Sequence, residues 1–321
     1  MPLNILIMGA GALGSVFGGF LRLAGHRVAL VGRQKHIEAI SRSGLKISGL
    51  WGDYTAHGLI AAEKVSDFTG TVFDLVFLSV KSQDTLEAAV QFTPYLSREG
   101  IAISLQNGLG NAEILAGQVG EDRAAAARVI FGAEITGPGS VQVTVCADSV
   151  LAGKAVPGPN PVLDHKIREA VSALKQTKIP TEWVEDVHPY LWAKTVYNSA
   201  LNPLGALLEV NYGKLADNPY TRDIMDRIIT EVFAVAGAKG VKMPWNSPEA
   251  YITDFYGRLI PLTAEHRPSM LQDLERGRRT EIDALNGRIV WYGNDLGVPT
   301  PVNEFVTKLI KAKEGVTSRV I

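Results

Sequence analysis

The sequence predicts an α/β protein in two parts, a doubly wound parallel sheet followed by an all-α domain. Three observations carry that prediction. Up to about residue 183, short apolar runs alternate with helical patterns; the turn "GAGALG" lies directly behind the first run; and from residue 186 onward the patterning is almost entirely helical. Runs that are apolar throughout, rather than at every second residue, suit strands covered on both faces, as in a parallel sheet. A length of 321 residues sets a prior of two domains, and the change of texture places them at 1–183 and 184–321.

Taken in order, "LNILIM" from residue 3 reads as the first strand and residues 12 to 24 as the first helix, followed by strands at "RVALVG", "FDLVFLSV" and "IAISL". The segments "LKISGLWGDYTAHG" and "GSVQVTVCADSVLAG" read as antiparallel additions at the edge of that sheet. Beyond "KIPTEWVED", the clearest helices are "TRDIMDRIITEVFAVAGAKG" and "EIDALNGRIVWYGNDLG".

Composition narrows the function. The 32 Lys and Arg nearly cancel the 33 Asp and Glu, so no global field points to nucleic acid or to an anionic membrane, and a small molecule is the expected partner. The chain starts without a signal-peptide pattern, and no apolar run reaches the roughly 20 residues that span a bilayer, so a cytoplasmic protein is expected. Cys146 is the only cysteine, and it lies in the alternating run "VQVTVCAD", where a packed strand thiol is expected. The six histidines show no metal-binding spacing, so no metal site is expected.

Gly9, Gly11 and Gly14, with Ala10, Ala12 and Leu13 between them, form a strand-turn-helix glycine fingerprint. The first glycine permits the tight turn, the second lets a pyrophosphate approach the backbone, and the third allows close helix–strand packing, while the helix N-terminus offers donors to the anion. This is a Rossmann-type dinucleotide site. The second strand ends in Gly32-Arg33 rather than in an acidic residue, and Arg33 suits a 2′-phosphate, so the expected cofactor is NADP(H). Lys81 and Asn107 follow two further strands and face the same crevice at the carboxyl edge of the sheet; singly they would read as a solvated lysine and an Asn-Gly turn, and together they are candidates for the cofactor or the substrate side.

In "WAKTVYNSALNP", Lys194, Asn198 and Asn202 recur every four residues and would stack on one face of a helix. Such a row is also what the wet side of a surface helix carries, and Asn202 before Pro203 also suits an N-cap where one helix ends and another begins. Further on, "HRPSMLQDLERGRRTEIDALNG" places Ser269 three residues before Gln272, a capping-box spacing, and Glu281 in the first turn of a helix begun by Thr280.

The combination resembles the ketopantoate reductase (2-dehydropantoate 2-reductase) family. The resemblance rests on the order and spacing of "GAGALG", Arg33, "VKS" at 80 to 82, "LQNGLG" at 105 to 110, "KTVYNSALNPL" at 194 to 204, and "RPSMLQD" with Glu281 twelve residues beyond Ser269. It implies an N-terminal domain that binds NADPH, an α-helical domain that closes over it, and reduction of ketopantoate to pantoate on the route to pantothenate and coenzyme A. It further implies that Lys194 is the catalytic lysine and proton donor, that Asn198, Asn202 and Ser269 contact substrate, that Asn107 lies near both nicotinamide and substrate, and that Glu281 lies close to both. One departure is "EVNYGKL", where Tyr212 stands at the position some members give to a further substrate-binding asparagine and Asn211 is one place off.

Competing readings are an NADPH-dependent reductase of another small 2-oxo acid, a β-hydroxyacid dehydrogenase, and a non-catalytic NADPH-binding sensor. The dehydrogenases also carry a lysine and an asparagine four apart, but with a GxGxMG turn where this chain has Leu13. The apolar C-terminal helices would serve either a homodimer interface or a monomer's core, and a homodimer is carried as the expectation.

Overall fold

The computed structural model describes residues 2–317 and divides them into two compact units, one of residues 2–106 and 111–187, the other of residues 107–110 and 188–317. The sheet-bearing unit contains β1 (Asn4–Met8), α1 (Ala12–Leu23), β2 (Arg27–Val31), α2 (Gln34–Ser43), β3 (Leu45–Gly49), β4 (Tyr54–Ala56), β5 (Ile60–Ala62), β6 (Phe73–Leu78), α3 (Thr85–Phe92) and β7 (Leu96–Ser104). It continues with α4 (Asn111–Val119), β8 (Ala124–Arg128), β9 (Phe131–Gly137), β10 (Ser140–Cys146), β11 (Val150–Lys154), α5 (Pro161–Lys175) and β12 (Thr181–Asp186). An eight-stranded sheet of order β12-β11-β8-β7-β6-β1-β2-β5 forms its centre. From β8 to β5 every pairing is parallel, which gives the doubly wound order in which the chain leaves β1 to one side and then to the other. The near-continuous apolar strands have the burial they imply, with Ile5, Leu6 and Ile7 of β1 fully enclosed.

The edge of the sheet differs from expectation. Of the segments read as antiparallel additions, only β11 joins the main sheet antiparallel, against β8, and β12 then pairs parallel with β11. The rest forms a separate four-stranded sheet of order β4-β3-β10-β9, in which β3 and β10 run parallel. The reason lies in α1, which is buried continuously from Gly14 to Leu21 and has no wet face there. A helix of that kind must be covered on every side. Phe17 packs on Phe77 of the main sheet and on Phe131 of the small one, and Phe20 meets Trp51 and Tyr54 edge-on. Gly19 lets the small sheet close in, since a Cβ there would lie 2.5 Å from Ile47. The strand β12 runs to Asp186, across the expected boundary at residue 183, and the compact units part at Val187 and His188.

The helical unit contains α6 (His188–Leu208), α7 (Tyr212–Asp217), α8 (Pro219–Ala238), α9 (Pro248–Asp254), α10 (Ser269–Glu275), α11 (Asn286–Leu296) and α12 (Pro301–Thr317). Its axis is α6, which runs unbroken for 21 residues with Pro203 inside it. The alternative in which one helix ends at Asn202 and another starts at Pro203 therefore does not hold. A proline in a helix interior withdraws a donor from the carbonyl four residues back, here Ser199. That carbonyl is taken instead by the side-chain amide of Asn286 at 3.1 Å, and Asn286 also donates to Asn303 at 3.0 Å. Asn303 in turn donates to Glu231 at 2.7 Å, so the substitute bond is anchored in α8, α11 and α12 together. Asn286→Ala is expected to lower stability by about 2–3 kcal/mol, because it strands the Ser199 carbonyl in a fully buried place. Thermal unfolding checks this, and an unchanged Tm would mean that water replaces the amide.

Candidate functional site

The glycine turn joins β1 to α1, and its geometry divides the labour among the three glycines. Gly9 has φ 110°, and a Cβ there would lie 2.7 Å from the Val80 nitrogen; a Cβ on Gly14 would lie 2.2 Å from the Gly9 carbonyl oxygen. Both positions are closed to any side chain. A Cβ on Gly11, in contrast, meets nothing within 4 Å, and Gly11 is the N-cap of α1 without any side chain capping the helix. An open backbone ahead of uncapped helical N–H groups can receive an anion. The turn is fastened from behind by the Ser79 hydroxyl, which donates to the Gly9 carbonyl at 2.7 Å.

Arg33 is exposed at the N-cap of α2, and among the described residues its guanidinium has no hydrogen-bonding or ion-pair partner. Lys81 is half-buried after β6, ahead of the short 3-10 turn Ser82–Asp84. The loops carrying Lys81 and Asn111 are tied by a buried amide network that the sequence did not single out. Gln106 donates to the Val80 carbonyl at 3.0 Å and to the Thr85 hydroxyl at 2.7 Å, and Asn111 donates to the Ser82 hydroxyl at 3.2 Å. A glutamine at the very end of the apolar run "IAISLQ" was the available signal, because a buried amide there must find partners.

In the helical unit the row on α6 deepens along its length: Lys194 and Asn198 are half-buried, while Asn202 is 5% exposed. A wet surface helix would show no such gradient. The Lys194 ammonium donates to the Asn107 side-chain oxygen at 2.5 Å. Asn107 belongs to the loop 107–110, which packs with this unit; the Leu109 N–H donates to the Ala284 carbonyl at 2.8 Å, and Gly108 lies so close to Ala284 that a Cβ would sit 2.3 Å from its oxygen. Glu281 heads the 3-10 turn Ile282–Ala284 that receives this loop, and α11 starts only at Asn286, which corrects the expected helix begun by Thr280. The Asn198 amide has no protein partner among the described residues.

Ser269 is the first residue of α10 rather than its N-cap, and its side chain makes no capping bond, so the capping-box alternative does not hold. Its hydroxyl donates instead to the Asn202 oxygen at 3.4 Å. Pro268 makes this possible by seating on Gly205, where a Cβ would lie 2.4 Å from the proline ring. Tyr212, at the start of α7, donates to the same Asn202 oxygen at 3.0 Å. Gly205→Ala is expected to displace Pro268 and to cost about 1–3 kcal/mol through overpacking, readable as a lower Tm. An unshifted Tm would show that Pro268 moves aside freely.

These groups comprise an anion-receptive turn on one unit, and on the other an ammonium beside a carboxamide with further amide and hydroxyl groups along one helix face. Among the described residues no cluster suited to a metal ion is present, and no helix is long and apolar enough to cross a membrane.

Comparison with known proteins gives a consistent result over both units. Residues 5–155 match the family model described as "Ketopantoate reductase PanE/ApbA", and residues 186–314 match "Ketopantoate reductase PanE/ApbA C terminal". The chain is 41% identical over 320 residues to a 2-dehydropantoate 2-reductase of Aquifex aeolicus, covering 98% of each chain. It is 35% identical to one of Pyrococcus horikoshii, over 97% of this chain and 98% of that one. Among solved structures it is similar to a PanE/ApbA family ketopantoate reductase from Ralstonia eutropha (TM-score 0.87, 34% identity, 98% of this chain and 99% of that one). It is also similar to a D-mandelate dehydrogenase solved with NADH and anilino(oxo)acetate, with TM-score 0.87, 25% identity, and coverage of 98% of this chain and 99% of that one.

Proposed function

This chain belongs to the ketopantoate reductase family of oxidoreductases, and from that premise we propose that it reduces 2-dehydropantoate to pantoate with NADPH, Lys194 being the proton donor. The observation that carries the reading is the ammonium of Lys194 held by the Asn107 side-chain oxygen on a half-buried helix face. In this reading the N-terminal domain binds the cofactor and the C-terminal domain holds the substrate and the acid, in the cytoplasm and on the route to pantothenate.

The glycine turn supports the cofactor assignment: Gly11 is open where a pyrophosphate would approach, and Ala12, Leu13 and Gly14 begin the uncapped helix. Arg33, exposed and without a protein partner among the described residues, is suited to pair with a 2′-phosphate, which favours NADPH over NADH. Lys81 and Asn107 are assigned to the cofactor side as well. When bound, the cofactor supplies a hydride to the ketone carbon. Negative charge then builds on the ketone oxygen, and Lys194 gives that oxygen its proton, so that the ketone becomes an alcohol. Asn107 holds the ammonium in place by accepting one of its hydrogens. Asn198 and Asn202 hold the substrate's carboxylate and hydroxyl oxygens without adding a competing charge, and the Ser269 oxygen, whose hydrogen goes to Asn202, accepts from a substrate hydroxyl. Glu281 is assigned to the same site, as the carboxylate on the turn that receives the Asn107 loop.

A second reading, a reductase of a different small 2-oxo acid, is favoured by Tyr212, a phenol bonded to Asn202 where the family resemblance implies a further substrate-binding asparagine. Following NADPH oxidation with ketopantoate, with a panel of other 2-oxo acids, and with NADH in place of NADPH separates the two. Fast, NADPH-preferring turnover of ketopantoate supports the first reading, and preference for another acid moves the assignment to the second. Binding of NADPH without turnover of any acid would overturn both.

A further inference from the structure

The geometry points to Tyr212 as a positioning residue that fixes which end of the Asn202 amide meets the substrate, and so makes this site a receptor for a substrate oxygen that accepts hydrogen bonds. The inference rests on the proposed reduction of a 2-oxo acid and concerns a residue that does not itself touch the substrate.

An asparagine amide offers an acceptor at one end and two donors at the other, and a free amide can turn either end to a ligand. Asn202 is not free. Its oxygen accepts from the Tyr212 phenol at 3.0 Å and from the Ser269 hydroxyl at 3.4 Å, which engages both of its lone pairs. Its NH2 group has no protein partner among the described residues, yet it is not among the buried side-chain atoms left unsatisfied. The donor end is therefore the end presented to a ligand. What it can hold is a carboxylate, carbonyl or hydroxyl oxygen, and it repels a group that has only hydrogens to offer.

The phenol is well made for this task. Tyr212 is 2% exposed, and burial pushes its pKa well above the ordinary tyrosine value, so it stays a donor throughout the working pH range. The ring is held edge-on against Tyr197 at 5.9 Å and tilted against His266 at 5.2 Å. Its backbone N–H donates to the His266 carbonyl at 3.3 Å, and the neighbouring Gly213 N–H donates to the Ala264 carbonyl at 2.9 Å. The stretch that leads into Ser269 is thus strapped to the start of α7, and both donors to Asn202 are positioned by one packed unit.

The test is steady-state kinetics of Tyr212→Phe, Ser269→Ala and the double variant, with the preferred 2-oxo acid and with NADPH varied in turn. Phenylalanine keeps the ring contacts and removes only the bond to Asn202. Tyr212→Phe is expected to raise KM for the acid about tenfold, with kcat within threefold of the parent, KM for NADPH unchanged and Tm within a few degrees. The double variant is expected to lose more than the product of the two single effects, because one remaining donor orients the amide only in part and with neither the amide turns freely. An unchanged KM for the acid in Tyr212→Phe, or a fall in kcat and Tm with no selective rise in KM, would overturn the inference while the proposed function stands. Absence of turnover by the parent enzyme with every acid would remove the proposed function and the inference with it.

Discussion

Lys194→Ala is expected to abolish most of the reductase activity while leaving cofactor binding intact. General acid catalysis by a positioned group contributes about 10²–10⁴ in rate, and the alanine variant has no other ammonium on the face shared by Asn198 and Asn202. A fall in kcat of about a thousandfold is the expected result, with NADPH affinity, read by fluorescence titration, within a factor of two or three. Lys194 also donates to Asn107, so the variant removes that bond as well, and Lys194→Arg is the informative companion. Arginine keeps a charge near Asn107 but is a far poorer acid, and it is expected to recover binding of the 2-oxo acid and little of the rate. A Lys194→Ala enzyme with near-parental kcat would remove lysine from the chemistry and direct attention to Glu281.

The second large effect is expected at the glycine turn, where two conservative substitutions separate folding from binding. Gly14→Ala places a Cβ 2.2 Å from the Gly9 carbonyl oxygen and 2.5 Å from the Ser79 hydroxyl, inside a junction of β1, α1 and the loop after β6 that has no slack. It is expected to lower Tm markedly and to abolish NADPH binding, since the turn cannot keep its shape. Gly11→Ala meets nothing within 4 Å and is expected to leave Tm unchanged, yet to weaken NADPH at least tenfold, because the methyl occupies the space a pyrophosphate needs. Thermal unfolding with and without NADPH distinguishes the two. If Gly11→Ala bound NADPH like the parent, the cofactor would have to lie away from this turn.

Much of the sheet-bearing unit was legible because its signals are local. The apolar runs of β1, β2, β6 and β7 and the glycine spacing each report their own surroundings, and the doubly wound order follows from their succession. The small sheet was misplaced because β3 pairs with β10 across about ninety residues of chain, a partnership that alternation within either segment cannot announce. A clue was present in "GSVFGGFL", a stretch with no polar side, which demands a second apolar cover. In the helical unit the row Lys194, Asn198, Asn202 was legible from spacing alone. Its continuity was not, because Asn-Pro is ordinarily a helix start, and only the remote Asn286 makes an interior proline tolerable. Ser269 carried two readings in the sequence that only its distance to Asn202 separates. Tyr212 stood out as a departure, but its partner lies ten residues away, on the other side of a chain reversal.

The loop 107–110 has a consequence for any attempt to cut the protein in two. Because it lies between β7 and α4 in sequence but packs with the helices, the polypeptide passes from one unit to the other three times rather than once. A fragment beginning at His188 would hold Lys194 without Asn107, and a fragment ending at Val187 would carry Leu109, only 6% exposed in the intact chain, without the helical unit it packs with. Neither half of the gene therefore encodes a self-sufficient module, and new enzymes made by exchanging halves between relatives would have to transplant these four residues along with the helices.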